Sequence, residues 1–354
     1  MKSRLLALCM LFVLLVALVP GAMAQDAVCG NLSGDDCTAL TTAFTNTAAS
    51  SSGAFTLDTT IDIQAEDPSQ AVNLTIKADG KFNGVNMAGM TDMSAMSDAT
   101  AAIASLTEGV KSFSGELNLS IGLPAEAAAM TGGEPLVLNL ILVDGVGYID
   151  FSKLPAAIAP YLQQMGIPNS WAGLDLIDTL TNAGGMAASS IEDSGDVLSG
   201  TEDLAKIQAL VSKHLQYTRS GDTFSGTIDL PGLFSDPEFQ ALASEGEAAS
   251  ELTPEQTAAI ESLKDAKIEV TYTLNGDKIG SITANVSVPG STLAALDAAG
   301  EDSTSEAPTS INITLSMNYT GLGETQTVTA PAGAPVAKFA DLMTLVGGMM
   351  GGMQ

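Results

Sequence analysis

Positive charge is scarce. The 354-residue chain carries 13 Lys and Arg against 41 Asp and Glu, a net charge of −28. A nucleic-acid binder must neutralise phosphates with cationic side chains, so this composition excludes that class. His214 is the only histidine. That removes any two-histidine metal site and any HExxH motif. No GxSxG elbow, P-loop or GxGxxG fingerprint occurs. Aromatics make up 5% of the chain, and Trp171 is its single tryptophan. Carboxylates for two-acid glycoside hydrolysis are plentiful, but the aromatic platforms of carbohydrate sites are few. No catalytic residue, cofactor or metal site is expected.

Long apolar runs are also missing. Leu5–Val19 is short of the roughly 20 residues that span a bilayer. It follows Lys2 and Arg4 and precedes Pro20, Gly21 and the triplet Ala22-Met23-Ala24. That is the anatomy of a secretory signal, with cleavage expected between Ala24 and Gln25. Its removal leaves an acidic chain of residues 25–354, secreted or periplasmic, with no expected transmembrane span. Hydrophobic residues at 45% can build a core, which excludes disorder.

Cysteines number three, and Cys9 leaves with the signal. Cys29 and Cys37 close the loop CGNLSGDDC, where an oxidising compartment favours a disulfide over two free thiols. Neither stands in a lipoprotein-type context. Six Asn-x-Ser/Thr sequons occur, at Asn31, Asn73, Asn118, Asn285, Asn312 and Asn318. They are glycan acceptors or chance products of a chain rich in Asn, Ser and Thr. Asp35-Asp36 and Glu192-Asp193 could meet calcium, but neither has EF-hand spacing, and solvated surface is the simpler reading. His214 reads as a cation at the end of a 202–213 helix.

What is abundant is period-two alternation. It runs through Phe55–Ile63, Val72–Ile76, Phe113–Ile121, Ile268–Leu274, Ile282–Val288 and Ile311–Tyr319. Such segments are strands with one buried and one wet face, which favours antiparallel pairing. Asn275-Gly276-Asp277 predicts a tight hairpin; Asp79-Gly80, Asp144-Gly145 and Ser220-Gly221-Asp222 read as similar punctuation. The run 136–143, LVLNLILV, is apolar on both faces and predicts a central strand covered on both sides. Helix starts are expected at Ser199–Glu202, at Ser235-Asp-Pro-Glu238 and at Thr253-Pro254. Weaker helices are expected at 98–110, 155–165 and 336–346. Loops or excursions are expected at 84–97, 182–200 and 289–308. Methionines cluster at Met87, Met90, Met93 and Met96 and again in the tail LMTLVGGMMGGMQ. They read as core filling, loose loop, or an adaptable apolar contact.

Several phrases carry a resemblance. SGAFTLDTTIDI opens the strands. Val143-Asp-Gly-Val-Gly-Tyr148-Ile149 and Trp171-Ala-Gly-Leu174-Asp-Leu176 follow. KIEVTYTLNGDKIGSITANVSV and TSINITLSMNYTGLGETQTVTAPAGA come late. Together they resemble the LolA-like and LppX/LprG-like envelope proteins over residues 50–335. The resemblance implies an α+β fold: a strongly curved antiparallel sheet, a half-barrel with short helices across its concave side. It also implies a lipid or acyl-chain ligand between sheet and helices. Residues 25–49 would form an N-terminal segment and 336–354 a Met/Gly-rich tail. Leu117, Leu119, Val270, Tyr272, Ile313 and Leu315 face inward and are core by default, with some lining a cavity. The competing expectation is a cell-surface structural or interaction protein with a filled core, working through envelope partners.

Overall fold

The computed structural model describes residues 29–67, 71–84, 99–124, 128–129, 131–157, 160, 168–182, 210–243, 254–298 and 308–341. The signal segment and its cleavage point lie outside the described residues. So do most of the Met-rich 84–97 loop, the 199–202 helix start, Glu192-Asp193 and residues 342–354 of the tail. The chain is a mixed α+β protein with one large, unclosed sheet of twelve described strands. They are β1 (Ser52–Gln64), β2 (Val72–Asn83), β3 (Ser114–Gly122), β4 (Leu136–Val143), β5 (Val146–Asp150), β6 (Trp171–Asp175), β7 (Leu215–Ser220), β8 (Thr223–Ile228), β9 (Lys267–Asn275), β10 (Lys278–Pro289), β11 (Ser310–Thr320) and β12 (Val336–Ala337). Their order is β12-β6-β5-β4-β3-β2-β1-β11-β10-β9-β8-β7. The registers resolved are antiparallel except β12 with β6. The described helices include α1 (Gly34–Ala48), α2 (Ala99–Ser112), α3 (Leu230–Ser235), α4 (Pro237–Ala243), α5 (Pro254–Ser262) and α6 (Gly290–Ala298).

The chain forms two compact units. The first draws on Met1–Ala48, Asp58–Leu74 and Leu198–Asn318. Its sheet carries a sealed apolar face. Alternation places Val270, Tyr272, Ile282, Ala284, Val286, Ile313 and Leu315 on one side, in register across β9, β10 and β11. All are buried. The α1 helix packs here through Leu40, Ala43 and Phe44, and the Phe44 ring meets Tyr272 edge-on at 4.9 Å. Thr47, one turn further on, accepts the Ile279 N–H at 2.8 Å. Residues 34–48 of the N-terminal segment thus contribute to this core.

Local sequence explains the small helices. Asp229 accepts the Gly232 N–H and caps α3. Asp236, rather than Ser235, caps α4 by accepting the Glu238 N–H at 2.9 Å. Pro254 opens α5 at the position where a missing N–H costs nothing. The described end of the expected 202–213 helix, residues 210–213, buries Leu210 and Val211 against Leu233. The stretch 289–308 was expected to be an excursion, yet α6 occupies its first half. Leu293 and Thr292 are buried, and Thr292 Oγ1 donates to the Ser262 carbonyl at 2.9 Å. Tertiary packing on α5 thus makes a helix of a short Ser- and Thr-containing segment.

The second unit draws on Ala49–Leu57, Thr75–Val197 and Tyr319–Gln354. Asp144 and Gly145 both have positive φ, 52° and 77°, as a two-residue type I′ hairpin requires. Asp79-Gly80 is not a turn. The β2–β3 ladder runs straight through it, with Asp79 opposite Asn118 and Gly80 opposite Leu117. The glycine is there because the Phe55 ring lies over it, where a Cβ would collide. After β11 the chain runs back along the sheet: Gly323 N–H donates to Ser52 and Gly173 N–H to Pro335. The helix expected over 336–346 begins later, because Val336 and Ala337 pair with β6. Its described part is 339–341. Of the 155–165 helix, 158–159 and 161–167 lie outside the described residues, and 156–157 form a turn.

Candidate functional site

The second unit carries a broad apolar sheet face. Cross-strand register aligns Ile76, Ile121 and Leu136 in one row and Ala78, Leu119 and Leu138 in the next. A third row is Gly80, Leu117, Leu140, Ile149 and Ala172. The fourth is Phe82, Gly115, Leu142, Gly147 and Leu174. Along β4 the rows span about 20 Å, and from β2 to β6 a similar width. The opposite face is polar only on β2 and β3. Lys77, Asp79, Lys81, Glu116 and Asn118 cluster there, with a Lys81–Glu116 ion pair at 3.6 Å and an Asn118–Asp79 hydrogen bond at 2.9 Å, whereas on β4 and β5 it continues through Val137, Ile141, Val143, Val146 and Tyr148.

The apolar face is neither sealed nor bare. Every residue of β4 is half-buried, and so is every residue of β3 except Gly115. At the fourth row, neighbouring side chains close over the glycines: Phe113 over Gly115 and Leu176 over Gly147. Phe55 does the same at Gly80 in the third row. One end of the face is thus roofed by aromatic and aliphatic side chains. Aliphatic residues left partly exposed have lost much of their hydration without gaining a full set of packing partners. The described residues of these four rows are all aliphatic, aromatic or glycine.

The six candidate lining residues divide between the two units. Val270, Tyr272, Ile313 and Leu315 pack in the sealed core of the first unit, with 8% exposure or less. Leu117 and Leu119 sit at the centre of the half-buried face. Ile76, Ile121 and the four leucines of β4 share that face and were not singled out from the sequence. Their signal was present, since 136, 138, 140 and 142 are all Leu.

Ionisable groups gather at Asp236. Lys213 Nζ lies 2.7 Å and His214 Nε2 3.1 Å from Asp236 Oδ2. The Lys213 hydrogen bond, followed by that of His214 and the Glu238 N–H, holds the Asp236 carboxyl far below the usual carboxylate range. Asp236 in turn raises the Lys213 ammonium. His214 therefore sits beside a helix cap, in an ion cluster that ties residues 213–214 to α4. Among the described residues no group of three or more His, Cys, Asp or Glu could hold a metal ion. Tyr217 and Tyr272 share a buried hydrogen bond, and burial pushes both hydroxyls up.

Cys29 and Cys37 are bonded, with Cα atoms 5.1 Å apart. Among the described residues no helix is long and apolar enough to cross a membrane. Both features are compatible with an extracytoplasmic location. Of the sequons, Asn31 has its amide engaged with the Tyr217 backbone, and the other five sit within strands β2, β3, β10 and β11. No protein-family model matches the chain, and no characterised protein matches it in sequence.

Proposed function

We propose that the protein is an exported, non-enzymatic binder of an apolar ligand, a lipid or acyl chain, held on the Leu-rich face of β3 and β4. The observation that carries this reading is the partial exposure of six leucines in register on that face, Leu117, Leu119, Leu136, Leu138, Leu140 and Leu142, in a chain whose apolar face on β9, β10 and β11 is fully packed. Burying aliphatic surface yields roughly 25 cal/mol per Å², so a ligand completing the packing is favoured. Length agrees as well. One leaflet of a bilayer core is about 15 Å deep, and the Leu row of β4 exceeds that. The reading keeps the LolA-like arrangement expected from the sequence, a curved sheet with helices over its inner face, as part of the proposal. Removal of residues 1–24 belongs to it too.

Native mass spectrometry of residues 25–354 purified from the natural host tests it, with organic extraction of the same sample. A discrete added mass that extracts as lipid is expected. A bare polypeptide mass, with no uptake of a fluorescent fatty-acid probe, sinks the ligand reading and turns attention to protein partners.

A further inference from the structure

We propose that Asn275 is a site of spontaneous modification, deamidated through a cyclic imide to aspartate and isoaspartate, while the fold protects Asn83 from the same reaction. The chain contains two Asn-Gly pairs, Asn83-Gly84 and Asn275-Gly276. In such a pair no side chain on the glycine hinders its nitrogen from reaching the asparagine side-chain carbonyl. Structure separates the two. Asn275 ends β9 and is exposed, as are Gly276 and Asp277. Asn275 pairs with Lys278 across the hairpin turn. Gly276 takes its first central position at φ +66°, with open space where a Cβ would lie. Among the described residues no hydrogen bond holds the Asn275 side-chain amide. At the bulge that follows, a Cβ on Gly280 would press on that of Asn275, so the glycine leaves the side chain room to turn. Asn83 is the reverse case. It is half-buried in β2. Its Oδ1 accepts the Gln326 N–H at 2.7 Å, and its Nδ2 donates to Ser114 Oγ at 3.0 Å and to the Gln326 carbonyl at 2.9 Å. Gly84 lies so close to the Ser112 carbonyl that a Cβ would clash.

The reaction consumes only water. The Gly276 nitrogen gives its proton to a solvent base and attacks Asn275 Cγ. A C–N bond forms, the Cγ–Nδ2 bond breaks, and Nδ2 takes a proton from solvent and leaves as ammonia. Water then opens the cyclic imide. Attack at Cγ leaves aspartate with the original backbone. Attack at the backbone carbonyl carbon of residue 275 sends the chain through Cγ as isoaspartate. Nothing is oxidised or reduced. Either product places a new negative charge beside Asp277 at neutral pH, and isoaspartate adds one carbon to the backbone of the turn. That turn seats α1. Asn46 Nδ2 donates to the Asp277 carbonyl at 3.1 Å and to its carboxylate at 2.9 Å, and the Ile279 N–H donates to Thr47 Oγ1 at 2.8 Å. Modification at Asn275 therefore loosens the seat of the helix whose Phe44 closes on Tyr272.

Peptide mapping by mass spectrometry of residues 25–354, aged in mildly alkaline buffer, reads both sites, and an isoaspartate-specific methyltransferase measures the rearranged product. Asn275 is expected to convert at least about tenfold faster than Asn83 in the folded chain, because Asn83 must first break its hydrogen bonds. In concentrated urea the two should react at comparable rates. The urea midpoint of the aged chain is expected to fall. Asn275→Gln, whose longer side chain closes an imide far more slowly, should keep its midpoint on ageing. An Asn275 that stays intact while the free peptide TYTLNGDKIG deamidates overturns the proposal. So does an Asn83 that keeps pace with Asn275 in the folded chain, or a difference that persists unchanged in urea. A midpoint that falls equally in Asn275→Gln overturns the link to α1.

Discussion

Asparagine amides take the place of peptide groups where distant segments meet. Asn31 does so on Tyr217. Asn83 does so on Gln326, accepting its N–H at 2.7 Å and donating to its carbonyl at 2.9 Å. Replacing Asn83 with Ala removes both bonds to Gln326, a half-buried residue in a mostly exposed segment. The expected cost is about 0.5–1.5 kcal/mol, read from urea midpoints. An unchanged midpoint would show that Gln326 is held by other contacts. The sequons have a residue-scale explanation as well. Asn and Ser or Thr two positions apart fall on the same face of a strand, so a wet face built from these residues produces the motif as a by-product. Asp236 sets an acid-range prediction. Its folded carboxyl is held low by Lys213 and then His214, so the unfolded chain binds the proton first. Its stabilisation is present above the unfolded value of about 3.9 and is lost as pH falls through the folded value. Asp236→Asn should flatten the acid limb of a stability–pH curve; parallel limbs in variant and parent would refute the assignment.

At the scale of elements, the two apolar faces should answer mutation differently. Phe44→Ala removes the ring that closes α1 onto Tyr272 and should cost about 3–5 kcal/mol of stability. Leu119→Gln, on the half-buried face, should cost less than about 1.5 kcal/mol while weakening probe binding at least about tenfold. Chemical melts and a fatty-acid displacement titration separate the two effects. A Leu119→Gln chain that binds normally would remove this face from the ligand reading. The sequence made the strands legible because each long one keeps a wet face, so period two survives. It hid what covers the other face. Leu119 and Val270 alternate identically, and only the fold shows that α1 helps seal the face carrying one and not the other. The α1 segment TALTTAFTNTA was invisible for a related reason: its Thr residues are poor helix formers, and burial of Leu40, Ala43 and Phe44 supplies what propensity lacks. Asp79-Gly80 misled in the opposite direction, since a glycine serving a close ring contact looks the same in sequence as one serving a turn.

For the molecule as a whole, charge is the dominant long-range term. At −28 the chain repels anionic surfaces, and screening acts over about 10 Å at 0.1 M salt. Apolar burial on the β3–β4 face carries no such salt dependence, so headgroup preference and chain affinity should separate experimentally. For matched amphiphiles of equal chain length, a quaternary ammonium headgroup should bind more tightly than a carboxylate in low salt. The gap should close as salt rises to several hundred millimolar, while the shared chain contribution persists. Isothermal titration of the two amphiphiles at both ionic strengths measures this. Equal affinities in low salt would place the headgroup beyond the reach of the protein's field. A preference for the carboxylate would require a local cationic site strong enough to outweigh the net charge. If the proposed apolar ligand is exchanged with anionic membranes, the same repulsion opposes direct contact, and exchange would call for a receptor or for divalent cations bridging the two surfaces.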